Sequence, residues 1–256
     1  MSFSSLLAHS LTRGIGLDDP STTRLRRTII RDKVFLRRLY EEWYAGLQES
    51  LPDEPQPALE IGSGGGFMEE VIPNLVTSEL FLGTPIHLVA DGCRLPVADA
   101  SLRGILAIDV LHHIPEPRLF LSEATRCLAP GGALAMIEPW VTPWSRIIYR
   151  NLHHEPFEPE AVKWSFPSTG PLSGANMALP WIIFRRDKDV FESEFPFLQI
   201  EKITPCVPFR YLVSGGISMR SLMPSFTFAA WRLLEKLFSS QNHRLGLFAE
   251  IVLRRV

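Results

Sequence analysis

Residues 59–67 read LEIGSGGGF, and five of these nine positions are glycine or serine. Glycine gives up more backbone freedom on folding than any other residue, so such a run implies a loop where main chain must come very close to something. A short apolar segment precedes the run, and a single acid, Glu60, stands at its entrance. The question the chain poses is what needs that approach and why a carboxylate waits there.

The surroundings follow a regular alternation. "ALEI" predicts a short strand, and residues 67–73 suit a short helix after the glycine loop. "LVTSEL" (75–80), "IHLVAD" (86–91), "LRGILAIDVL" (102–111) and "GGALAMIEP" (131–139) predict four more strands. "PEPRLFLSEATRCLAP" (115–130) predicts a helix between prolines, with Leu119, Phe120, Ala124, Cys127 and Leu128 on its apolar face. Strands alternating with helices imply an α/β fold with a doubly wound, mostly parallel sheet that takes its ligands at the carboxyl ends of the strands. Before this core, residues 21–50 carry apolar residues at three- and four-residue spacing and predict one helix with a basic opposite face. After it, from Trp140 to about residue 190, the periodicity dissolves into proline, tryptophan and histidine, which predicts a functional insert. "LQIEKITPCVPF" and "LGLFAEIVLRRV" predict two closing strands around an apolar helical segment. The expectation is one domain of 256 residues: an N-terminal helical cap (1–52), a core (57–139), an insert or lid (140–190) and C-terminal strands (191–256).

Composition narrows the classes. With 46% hydrophobic and 21% charged residues the chain has ample core. A net charge of -2 gives no electrostatic case for nucleic acid. Three cysteines lie in no zinc or redox spacing, which favours a reducing, cytoplasmic setting. No apolar stretch reaches the roughly 18 residues of a membrane span and no signal peptide is read, although peripheral membrane contact stays open. Oligomeric state is not legible.

Two ligand classes suit the loop. A dinucleotide would want a third glycine where Phe67 stands, and Glu60 would face its pyrophosphate. A ligand with an ammonium group and a sulfonium but no phosphate turns Glu60 into an attraction. Glu79 closes the second strand, where an acid can accept from both hydroxyls of a ribose, and Asp91 closes the third.

With "DGCRLPVADAS", "VLHHIPEP" and "LAPGG" following in order, residues 59–139 resemble the class I S-adenosylmethionine-dependent methyltransferases, in the broad group called type 11. The resemblance implies a Rossmann-like fold, S-adenosyl-L-methionine as cofactor, and roles by position. Glu60, Gly62, Ser63, Gly64 and Gly66 would surround the methionyl part, loop N–H groups taking its carboxylate. Glu79 would hold the ribose, Asp91 and Gly92 the adenine edge, and Asp109 would sit beside the sulfonium. One departure is that only about a dozen residues separate Glu79 from Asp91, which is short for a helical crossover.

The acceptor end is read less directly. His113, Tyr149 and His153 are the catalytic candidates, His153 as base or orienting partner. Trp144, Glu138 and Tyr40 are the substrate-side candidates, though Glu138 could equally be a structural acid and the aromatics could simply pack the insert. The pairs His112-His113 and His153-His154 invite a metal reading, but adjacent residues on a regular element point apart, so no metal is expected. The function expected is methyl transfer to a small, partly apolar acceptor. The competing readings are a catalytically silent cofactor-binding subunit and, disfavoured by Glu60 and Phe67, a NAD-dependent reductase.

Overall fold

The computed structural model describes residues 21–81, 86–153, 155–168 and 174–256; the first 20 residues of the expected cap, and His154, lie outside these. The predicted N-terminal helix is two helices, α1 (Ser21–Asp32) and α2 (Val34–Glu49). The break falls at Lys33, whose backbone leaves the helical region (φ -82, ψ 82). Its buried ammonium donates to the carbonyls of Gly216 and Met219 far along the chain.

The core strands are β1 (Ala58–Glu60), β2 (Leu75–Glu79), β3 (Leu88–Val89), β4 (Leu102–Ile108), β5 (Leu128–Pro139), β6 (Leu198–Cys206) and β7 (Phe248–Arg255). They form one sheet in the order β3-β2-β1-β4-β5-β7-β6. The pairs from β3 to β5 are parallel, whereas β7 runs antiparallel between β5 and β6. This is the doubly wound 3-2-1-4-5-6 order with one reversed strand slipped into its edge. Because the central strands are covered on both faces, their sequences are continuous apolar runs instead of alternating ones. Along β5, Leu134 and Met136 join one core with Phe120, Leu121, Ala124 and Cys127 of α3 (Pro117–Cys127). Ala135 and Ile137 join the other, with Phe35, Leu36, Leu39, Trp43 and Leu47.

Two elements are shorter than expected: the turn after the glycine loop is a 3-10 segment, Met68–Glu70, and β3 has two residues. Leu119, expected on the buried face of α3, is exposed, and Leu121 takes that place. Within the irregular stretch lies a helix the periodicity hid, α4 (Pro143–Leu152). It opens on a capping box in which Ser145 N donates to Thr142 Oγ1 and Thr142 N to Ser145 Oγ. The remaining helices used below are α5 (Lys188–Glu194), α6 (Arg210–Ser214) and α7 (Phe228–Leu237).

The cap rests on the glycine loop with no side chain between them. A Cβ on Gly65 would lie 2.5 Å from Arg27 N and 2.6 Å from Arg26 C, both backbone atoms that cannot rotate away. Gly65→Ala is therefore expected to lift α1 and to destabilise the protein by about 1–3 kcal/mol, the usual cost of overpacking. Gly46 in α2 has nothing within 4 Å of its added Cβ. Gly46→Ala should stabilise by about 0.8–1 kcal/mol from helix propensity alone. Denaturant unfolding of the two variants measures both signs.

Candidate active site

Glu60 at the tip of β1 is level with Thr77 of β2 and Leu106 of β4 in the parallel register, so the strand ends open together. Between them the loop is drawn tight. Ser63 N donates to Ser78 O (2.8 Å), Gly64 N to Glu79 Oε2 (2.9 Å) and Gly66 N to Ser63 O (2.8 Å). Gly62 has φ +63, and a Cβ there would meet Val110 Cγ2 at 2.8 Å, so only glycine lets the loop and the β4 turn touch.

A cavity of about 960 Å³ opens above this loop. Of the cofactor candidates, Glu60, Gly62, Ser63, Gly64, Gly66, Glu79, Asp91, Gly92 and Asp109 all line it. Tyr40, His113 and His153 line it too. Tyr44 of α2, one of the N-terminal aromatics able to reach the crevice, lines it as well, whereas sequence reasoning did not pick Thr23, Arg26 and Ile30 of α1, Glu155, or the Tyr211 and Ile217–Ser218 segment on the other side. The basic face of the first helix was the visible signal for Arg26.

Tyr149, Trp144 and the His112–His113 pair are placed differently from the reading above, and Glu138 takes one of its two alternatives. Tyr149 points into the core, its hydroxyl donating to Leu247 O at 2.5 Å. Trp144 packs against Phe209 and donates through Nε1 to Pro208 O at 3.1 Å. Neither is among the residues that line the cavity. Glu138 is fully buried and accepts from Val110 N (2.8 Å), Leu111 N (2.7 Å) and the His112 ring (2.9 Å). It is the structural acid of the two alternatives. His112 and His113 do not diverge, because residues 111–113 form a 3-10 turn in which their rings lie 4.2 Å apart. The expected use of loop N–H groups also changes: those of Ser63, Gly64, Gly66 and Phe67 are occupied by Ser78, Glu79, Ser63 and Tyr44.

The electrostatics are those of buried acids. Burial pushes the Glu60 carboxyl up to about 8, hydrogen bonding to Ser63 offsetting only part of the cost. Its Oε2 is buried without a hydrogen-bond partner. Asp109 is pushed up to about 7, chiefly by burial and against the pull of His112. It holds a left-handed backbone (φ 62) that non-glycine residues seldom adopt outside functional turns. A buried acid with one unpartnered oxygen, on a residue that lines the cavity, is stabilised in its ionised form by a cationic ligand group and not by a phosphate.

The parallel sheet, the glycine loop after β1 and the acids at the strand tips together form one crevice at the carboxyl ends of the strands. Residues 59–136, less than half of the chain, match the family described as Methyltransferase domain. A curated relative, 27-O-demethylrifamycin SV methyltransferase of Amycolatopsis mediterranei (strain S699), is 43% identical over 47 residues. That match spans 18% of this chain and 17% of the relative's length. Among solved structures, geranyl diphosphate C-methyltransferase from Streptomyces coelicolor A3(2), in complex with Mg2+, geranyl diphosphate and S-adenosyl-L-homocysteine, superposes with a TM-score of 0.50. Its identity is 13%, over 98% of this chain and 89% of that one. The methyltransferase seen with the Haloferax volcanii Trm112 methyltransferase activator superposes at 0.52, with 11% identity, over 94% and 99% of the two chains. At these identities the superpositions show the fold.

If the Tyr149 hydroxyl serves the core alone, Tyr149→Phe should leave S-adenosyl-L-homocysteine affinity unchanged. Stability should fall by about 1 kcal/mol, the net worth of one hydrogen bond. Calorimetric titration and denaturant unfolding read the two quantities separately.

Proposed function

We propose that the chain transfers a methyl group from S-adenosyl-L-methionine to a small, partly apolar acceptor. The observation that carries this reading is the orphaned carboxylate oxygen of Glu60, buried on the wall of a closed crevice. When bound, the cofactor supplies a methyl group on a sulfonium that is already a good leaving group.

The chain's own residues then have three tasks. Glu60 takes the ammonium of the methionyl part, while Arg26, across the cavity, takes its carboxylate in place of the occupied loop N–H groups. Glu79 keeps acceptor capacity toward the ribose while holding Gly64 N and Leu80 N. Asp91, fixed by its own turn through Cys93 N (2.9 Å), faces the adenine end with Gly92. At the far end, Tyr40, His113, His153 and Asp109 leave room for an acceptor beside the methyl group. Alignment and exclusion of water supply most of the rate in such a chamber. A base, for which His153 is the candidate, matters only where the acceptor must lose a proton.

The apolar clause has its own support. Leu222, Met223, Phe226, Leu233, Leu237 and Phe238 are exposed around α7, next to the Ile217–Ser218 rim of the cavity. The same segment carries Arg220, Lys236 and Arg244, with Arg232 paired to Glu42 of α2 at 3.2 Å, and its one acid between residues 215 and 245, Glu235, is buried against Arg210. Such a lip suits an anionic membrane surface from which an amphiphilic acceptor enters. Full-length protein should sediment with anionic vesicles and not with zwitterionic ones, and Phe226→Glu should abolish it. Equal recovery with both vesicle types refutes the lip.

Glu60 tests the cofactor reading by pH. Its carboxyl is raised above the ordinary range in the folded chain. Its contribution to stability is therefore full at acid pH and is lost as pH rises through about 8. Glu60→Gln should flatten that slope and make the ligand-free protein more stable than the parent above it. The same variant should bind S-adenosyl-L-homocysteine roughly 10- to 150-fold more weakly, a loss of about 1.5–3 kcal/mol. In the parent, binding at neutral pH should release a proton, seen as a dependence of the calorimetric heat on buffer. Equal affinities would make Glu60 structural. Parallel titration with NAD separates the reductase reading, and a labelled-methyl screen against cell-extract fractions separates the silent-subunit reading and names the acceptor.

A further inference from the structure

Three side chains converge where the β4 turn meets the segment after α4. His113 Nδ1 lies 3.2 Å from the carbonyl oxygen of Gly174. A carbonyl can only accept, so that nitrogen carries the proton. His112 Nδ1 lies 2.9 Å from Glu138 Oε2, on a carboxylate that already accepts two backbone N–H groups. It carries the proton as well. With a single proton on each ring both Nε2 atoms present lone pairs, and in either protonation state both face Glu155. His112 Nε2 is 3.5 Å from Glu155 Oε2 and His113 Nε2 is 3.7 Å from Oε1. All three ligand atoms lie within 4.8 Å of one another. His112 is wholly buried, and its Nε2 has no hydrogen-bond partner. Three electron-pair donors aimed at one point repel unless something positive sits between them.

We propose that His112 Nε2, His113 Nε2 and the Glu155 carboxylate bind a divalent transition-metal ion of the zinc class at the acceptor end of the cavity. Bonds of about 2.0–2.2 Å in a tetrahedral site put ligand atoms roughly 3.3–3.5 Å apart; each imidazole is near that distance from one of the two Glu155 oxygens, and the set as a whole, within 4.8 Å, would draw together on the ion. Imidazole donors favour zinc or its first-row neighbours over magnesium and calcium, which prefer oxygen throughout. Glu138 and the Gly174 carbonyl stand as the outer partners that fix the tautomer and aim of each imidazole. Three protein ligands leave a fourth position open, as catalytic sites of this metal do. His113 and Glu155 both line the cavity, so that position faces the acceptor space. Under the methyl-transfer reading, on which this last step rests, the acceptor presents an oxygen donor to the metal.

The rival occupant is a proton on His112 Nε2, bridging Glu138 and Glu155. Metal binding separates the two without any methyl donor, so the result stands apart from the fate of the transferase reading. Full-length protein, stripped with a chelator, is titrated with Zn2+ against a chromophoric competitor and with Co2+ in a visible spectrum. One ion per chain and the d–d bands of four- or five-coordinate cobalt are expected. His113→Gln and Glu155→Gln, checked for folding by circular dichroism and melting, should each weaken Zn2+ at least about 10-fold, the lower bound even for loss of an outer partner. Absence of uptake by the folded parent, or equal uptake by parent and both variants, overturns the site and leaves the proton as its occupant.

Discussion

The crevice depends on one carboxylate buried beneath its floor. Glu138, at the end of β5 and wholly buried, gathers the N–H groups of Val110 and Leu111 and the ring of His112. Those three contacts curl the chain after β4 into its 3-10 turn, and everything at the reacting end hangs from that turn. Asp109 is held in its left-handed conformation, and Val110 is set against Gly62, locking the turn to the glycine loop. His112 and His113 are brought side by side. A buried acid bonded to three donors is stable where an unpaired one would be severely destabilising, and such networks specify a single arrangement.

The roof is tied down by the same logic at a greater distance. Lys33, buried at the junction of α1 and α2, donates to Gly216 and Met219, and burial pulls its ammonium down to about 8. Arg210 of α6 joins Glu42 of α2 to Glu235 of α7, which in turn accepts from the N–H groups of Phe209 and Arg210. Between these ties, Trp43 stacks on Tyr211 and both rings meet Phe248 at the sheet edge. The helical N-terminus and the C-terminal insert, far apart in sequence, thus form one lid. Local contact with the loop, through Gly65, sets its height.

Periodicity and turn chemistry made the central strands, α3 and the cofactor side of the crevice legible, because each rests on contacts close in sequence. Glu79 and Glu60 could be placed at strand tips from apolar runs, whereas Asp109, inside the run 102–111, was placed by the family resemblance and stands just past the end of β4 at Ile108. What stayed hidden depends on distant partners. The break at Lys33 carries no proline or glycine and comes from an ammonium reaching residues 216 and 219. Trp144 and Tyr149 looked like pocket walls because aromatic composition does not say which face of α4 is buried. That helix did announce itself, through the Thr142–Ser145 capping pair and Pro143 at its first turn. Glu155 and the convergence of the two histidines required knowing that residues 111–113 continue as a tight turn instead of a strand, which only the buried Glu138 decides.

Acids collected in a closed chamber impose a common condition on whatever enters it. Desolvation raises the buried Glu60 carboxyl to about 8 and that of the part-exposed Asp109 to about 7, both above the range of water-exposed acids. The pull of Ser63 and Arg27 on Glu60, and of His112 and Arg26 on Asp109, offsets that cost only in part. A ligand bearing cationic groups replaces the protons with charges of its own, so binding and ionisation proceed together. A dianionic pyrophosphate would meet the opposite response, since each carboxyl would resist ionising beside it. The choice of ligand class thus lies less in the glycine loop, which many nucleotide-binding folds share, than in which charges the buried acids around it can accept.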